Sequence, residues 1–193
     1  ESRIPPCDYT DPESVGGVCV LCDIFGAPGL ASRVEFGTFT LMGDSRNFLE
    51  VLELDHGESV KAVKPGAVFE GSLSFRLHSF ELGLLFVGMG FRDGKWNPML
   101  LGKSKYRVRS SQHNRCRFGR VVFELEAIAF SKHVLSQSRL PPHLRMSLIN
   151  QPEALSRFVG WAVEEAKSHY GDAVSWDYDE LRELEQLTAS HGG

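Results

Sequence analysis

Cys19 and Cys22 stand three positions apart, the spacing of a half-site for tetrahedral zinc, because a tight turn lets two thiolates converge on one cation. Cys7 lies upstream in the same stretch and is a natural third ligand; the fourth falls to His113, to Cys116 or to residues ahead of Glu1. Such a zinc would be structural. No His-Glu-x-x-His pattern supplies a general base beside an open coordination position. The competing reading treats Cys19 and Cys22 as small apolar groups packed beside Phe25.

A second group joins Gly102-Lys103-Ser104-Lys105 to Arg117-Phe118-Gly119-Arg120, with Arg107, Arg109 and Arg115 between them. Glycines let a backbone approach a phosphate closely, and the cations supply charge-assisted contacts. Tyr106 and Phe118 offer rings for base stacking. The competing reading is a solvated basic loop with no ligand. A Walker-type phosphate loop is excluded, since Gly-x-x-x-x-Gly-Lys-[Ser/Thr] does not occur. The seven histidines are scattered and Asp44 and Asp55 sit in turns, so no catalytic constellation is assigned.

These groups need elements to hold them. Residues 1–30 read as loop, punctuated by Pro5-Pro6, Gly16-Gly17, Gly26 and Pro28-Gly29. Val34–Met42 and Val68–Leu77 alternate with period two and predict strands, and Phe48–Leu54 with Ser59–Val63 predict a hairpin turned at Asp55-His56-Gly57. Ser79–Phe91 has helical spacing, with Ser79 as its cap. Arg120–Phe130 is the clearest strand in the chain. After Leu140-Pro-Pro142, Asn150 and Glu153 predict a capping box for a helix through Lys167 that ends at Gly171, and a last acidic helix is expected over Tyr178–Leu187 behind Asp177. The expected organisation is a cysteine loop over 1–32, an α+β sheet domain over 33–139 and an acidic helical tail over 140–193.

With 193 residues, 42% hydrophobic and 24% charged, the chain can bury one sizeable core. A net charge of −4 and a pI near 6.0 conceal segregation. Gly102–Phe123 holds seven Lys or Arg and no acid, whereas Glu153 onward holds nine acids against Arg157, Lys167 and Arg182. The longest apolar runs are too short for a bilayer span and Glu1-Ser-Arg-Ile-Pro-Pro is not a signal sequence, so a cytoplasmic protein with reduced thiols and no membrane partner is expected.

Cys19-Val-Leu-Cys22-Asp-Ile-Phe-Gly26, followed by Ala31-Ser-Arg33-Val-Glu-Phe36, resembles the Cys-x-x-Cys-x-Leu-Phe-Gly … Ser-Arg-Val-x-Phe stretch of RAMP-superfamily proteins, the backbone subunits of CRISPR effectors, most closely those of type III. Pro65-Gly66-Ala-Val-Phe69-Glu-Gly71 is similar to that family's Pro-Gly-x-x-Phe-x-Gly strand entry, and Glu81-Leu-Gly-Leu-Leu85 resembles the start of its second helix. Leu101-Gly102-Lys103-Ser104 and Phe118-Gly119-Arg120-Val121 look like its glycine-rich loop, here split by Lys105–Arg117. Gly37-Thr-Phe-Thr-Leu departs from the usual Asp-Ala. The resemblance covers about Cys7 to Phe130, and the tail from Leu140 has no counterpart in it.

What the resemblance implies is a ferredoxin-like, RRM-related fold that holds CRISPR guide RNA through the glycine-rich loop and Arg33, with Phe48–Val63 as a thumb between guide and complementary target RNA. The family's first strand and helix have no room ahead of Cys19, so the chain would supply the C-terminal half of that fold and need a segment, or another effector subunit, to complete its sheet. Two further readings stay open: a target-cleaving endoribonuclease subunit whose catalytic acid lies outside this segment, and a zinc-stabilised module that docks a protein through its acidic tail.

Overall fold

Period-two alternation produces extended chain between Val34 and Phe75, but local insertions divide it into short ladders. The structure is a computed structural model that describes residues 7, 10, 17–53, 59–102, 108–111, 114–132, 140–177, 179 and 181–183. It resolves two compact units, Glu1–His78 with Ser110–Asn114, and Ser79–Arg109 with Arg115–Gly193. Every sheet among the described residues is two-stranded, and the ladders described below are antiparallel.

The first described element of the first unit is a helix where the sequence predicts loop, α1 (Val20–Phe25). Beyond it the chain runs out along β1 (Val34–Phe36), β2 (Thr40–Leu41) and β3 (Leu49–Glu53), and returns along β4 (Ser59–Val63), β5 (Phe69–Glu70) and β6 (Leu73–Phe75). The pairs are Val34 with Phe75, Thr40 with Glu70 and Leu49 with Val63, so the three ladders follow one another as a single two-stranded ribbon. The hairpin arm expected on Phe48–Leu54 and Ser59–Val63 forms its outer end; the turn at Asp55-His56-Gly57 lies outside the described residues.

The strands expected over Val34–Met42 and Val68–Leu77 are each broken once. Gly37–Phe39 stand opposite only Gly71 and Ser72, a bulge closed by Gly37 N–H donating to Ser72 O at 2.8 Å. The Phe39 ring lies over Gly71, where a Cβ would come within 2.6 Å of it. Farther out a helical turn, α2 (Ser45–Phe48), is inserted, and Asp44 caps it by accepting from Arg46 N–H at 3.0 Å. Among the described residues of this unit, Ile24, Val34 and Ala62 are the buried apolar ones, because a two-stranded ribbon has no second layer to cover its faces.

The second unit is built on α3 (Ser79–Gly88) and the long α4 (Pro152–Tyr170). They cross at Gly83, where a Cβ would lie 1.9 Å from Ala162 O. The predicted stripe of α4, Leu155, Phe158, Val159, Ala162, Val163 and Ala166, is buried, and Phe158 meets Phe86 and Phe130 edge-on at 6.3 and 5.4 Å. The expected Asn150/Glu153 capping box is not what starts this helix: Gln151 occupies the cap without a side-chain bond, and Pro152, with φ already fixed and no N–H to satisfy, begins it. Gly171, at φ +49°, ends it as predicted. In the tail, Asp179 rather than Asp177 accepts from Arg182 N–H at 3.1 Å, and 181–183 are helical.

Around the helices lie β7 (Phe91–Arg92) and β8 (Lys95–Trp96), joined through Asp93 and Gly94 at φ +53° and +74°, the positive values a tight hairpin turn demands. β9 (Met99–Leu100) follows, then β10 (Val108–Ser111) paired with β11 (Asn114–Arg117), then β12 (Arg120–Val121), β13 (Ile128–Ala129) and β14 (Leu148–Ile149). Arg120–Phe130, read from sequence as one strand, is laddered only at its ends: β12 pairs with β9 and β13 with β14. Among the described residues no strand pairs with 122–127. Among the described residues no helix is long and apolar enough to cross a membrane.

Candidate metal centre and basic loop

The Cys19-x-x-Cys22 turn is the start of α1. Cys19 is the cap, its sulfur accepting from Cys22 N–H at 3.5 Å while its carbonyl accepts from Asp23 N–H at 3.0 Å. Gly26 closes the helix at φ +83°, with its N–H on Cys22 O at 2.9 Å; a Cβ there would lie 2.9 Å from Leu30 O, so the Phe-Gly step is sterically required. Ile24 is driven into the interior behind the turn, and Arg33 N–H donates to Ile24 O at 2.9 Å.

Against this turn the Cys7 thiol completes a cluster in which the three sulfurs lie within 4.8 Å of one another. Cys19 is exposed and the other two are half-buried; all three are free thiols. They lie close enough to bind a metal ion. No carboxylate or imidazole among the described residues joins them. His113 and the Cys116 side chain, the expected fourth ligands, lie outside what the structure describes.

The backbone N–H of Cys7 favours the Cys22 thiolate. Hydrogen bonding to Cys19, desolvation and the Cys7 thiol oppose it and together hold the Cys22 thiol above its usual 9.0. Crowded thiols resist ionising next to one another, and a bound cation reverses that resistance by favouring the thiolates.

Arg33, expected at a phosphate, is occupied within the protein. Its guanidinium pairs with the Asp23 carboxylate and donates to Asp23 O at 3.0 Å and Arg76 O at 3.3 Å. Its backbone O accepts from Arg76 N–H at 2.9 Å. Arg33 therefore clamps α1 to the base of the ribbon and buttresses the cysteine turn. Asp23, its partner, belongs to no motif of its own, because its role depends on a residue ten positions away.

The two halves of the glycine-rich segment are brought side by side in the second unit. Leu100 pairs with Arg120 and Met99 with Val121, and Leu101 N–H donates to Gly119 O at 2.7 Å. Gly119, at φ +81°, lies so close to Leu101 that a Cβ would come 2.1 Å from Leu101 O. Gly102, at φ +95°, faces open space. Arg120 and Leu101 are exposed and Phe118 is half-buried. The 16 residues from Lys103 to Phe118 that separate Gly102 from Gly119 thus leave and return at one point of the β9–β12 ladder. Arg109 lies in β10, and Arg115 and Arg117 in β11; Lys103, Ser104, Lys105 and Arg107 lie outside the described residues.

Comparison of the chain with protein-family models, curated proteins and solved structures gave no match.

Proposed function

We propose that this chain is a guide-RNA-binding structural subunit of a type III-like CRISPR effector ribonucleoprotein, acting in the cytoplasm without an active site of its own. In this reading it supplies part of a ferredoxin-like RAMP fold. The observation that carries the reading is the meeting of Leu101-Gly102 with Phe118-Gly119-Arg120, from which an arginine-bearing β-hairpin departs. This arrangement restores side by side the two halves of a loop that the sequence splits. Backbone approach at two left-handed glycines, flanked by seven cations, suits a phosphodiester chain. The β3–β4 hairpin at the outer end of the ribbon is the segment the reading assigns as the thumb beside target RNA.

The same reading makes the cysteine cluster a structural zinc site. Thiolates at ~2.3 Å from a tetrahedral zinc sit about 3.8 Å apart, and the three sulfurs here need only small adjustments to reach that spacing. Zinc there would fix the Cys7 segment to α1 and would supply no chemistry beyond that.

The test is RNA retention on the purified protein and its salt dependence. Binding should weaken steeply as salt rises, and Lys103→Glu with Arg120→Glu should lower affinity at least ~10-fold while the thermal transition stays in place. Unchanged binding in that double variant would remove the loop from the proposal. Absence of any RNA affinity would favour a zinc-stabilised protein-interaction module, a reading supported by the exposed apolar side chains Leu49, Val51, Val60 and Val63 along the ribbon.

A further inference from the structure

Val122-Phe-Glu-Leu-Glu-Ala127 has the composition of a strand and alternates in exposure as a strand does: Val122, Glu124 and Glu126 are exposed, and Phe123 and Leu125 half-buried. Ladders hold it at both ends, at Val121 and at Ile128. In between, no hydrogen bond links its six residues to any described residue. That leaves about 20 Å of extended backbone whose N–H and C=O groups are available to another strand.

A groove of about 570 Å³ runs beside the segment. Its apolar wall includes Trp96, Pro152, Leu155 and Val159, its polar edge carries Glu124 and Glu126, and no Lys or Arg among the described residues lines it. We propose that Val122–Ala127 is the docking edge for an extended polypeptide whose side chains alternate between apolar residues and Lys or Arg. The apolar set would pack on Trp96, Leu155 and Val159 while the cations meet the two carboxylates. Charge disfavours a nucleic acid in this groove, because the acidic side chains of Glu124 and Glu126 line it. It also disfavours a second copy of the chain: antiparallel self-pairing centred on Leu125 would set Glu124 opposite Glu126. The inference does not depend on the RNA-binding reading, and its test is run without RNA.

The probes are two fluorescein-labelled heptapeptides, Lys-Val-Lys-Val-Lys-Val-Lys and its counterpart with Glu at every Lys, added to the full chain. Binding is read by anisotropy, and location by hydrogen exchange of the amides of 122–127. The lysine peptide should slow exchange at those amides at least ~10-fold and bind about ten times tighter than the glutamate peptide. Replacing both acids, Glu124→Lys with Glu126→Lys, should reverse that order; both side chains are exposed, so the variant's thermal transition should not move. Equal binding of the two peptides, binding without protection at 122–127, or no binding at all overturns the proposal. A concentration-dependent dimer that protects the same amides also overturns it, by making a second copy the occupant.

Discussion

Gly119 and Gly102 both sit at positive φ in the basic loop, yet the structure predicts different consequences for the same substitution. In Gly102→Ala the new Cβ enters open space, so the cost is the left-handed backbone alone, about 1–2 kcal/mol. In Gly119→Ala the same strain applies, and the Cβ also falls 2.1 Å from the backbone oxygen of Leu101, which cannot rotate away as a side chain would. Relief requires giving up the 2.7 Å bond from Leu101 N–H to Gly119 O, worth about 1 kcal/mol more. The Gly119 variant should therefore open the β9–β12 ladder by about 2–3 kcal/mol, roughly 30- to 150-fold, against roughly 5- to 30-fold for Gly102. Hydrogen exchange at the Leu101 amide reads this opening, and RNA affinity measured alongside should fall in the same order. Equal exchange in the two variants would mean that Leu101 and Gly119 are not in contact, and the argument for a rejoined loop would collapse.

Other substitutions probe the remaining parts. Gly83→Ala should force α3 and α4 apart at Ala162 O and destabilise the second unit by about 1–3 kcal/mol or more, seen as a lower thermal midpoint. Arg33→Ala should release α1 from the ribbon base; zinc affinity should drop while the salt dependence of RNA binding stays constant, and a reduced salt slope would restore Arg33 as a phosphate contact. With the Cys22 thiol raised above 9.0, the neutral form is the one the fold favours, so this contribution to metal-free stability is present below pH 9 and is lost as pH rises through the folded value. Zinc inverts the dependence: its affinity should rise with pH as protons are displaced, and it should block alkylation of Cys7, Cys19 and Cys22, with Cys22→Ser abolishing the effect.

Local signals account for what was legible in the sequence: the Cys-x-x-Cys turn, the outer hairpin, the apolar stripe of α4 and its glycine stop are written within a few residues of where they act. Short-range sterics and a 3.6-residue or two-residue period suffice for these. Three other features were decided by tertiary contact. The helix of Val20–Phe25 forms inside a Pro- and Gly-rich stretch because Arg33 and Ser32 hold it, Ser32 Oγ donating to Ile24 O at 3.3 Å. Arg33 turns inward because Asp23 and Arg76 O are within its reach. Arg120–Phe130 carries every sign of a strand yet is laddered only at its two ends, because a strand is completed by a neighbour that its own residues do not encode. Spacing alone was enough to nominate Cys7 with Cys19 and Cys22, but only folding could bring the three sulfurs within reach of one ion.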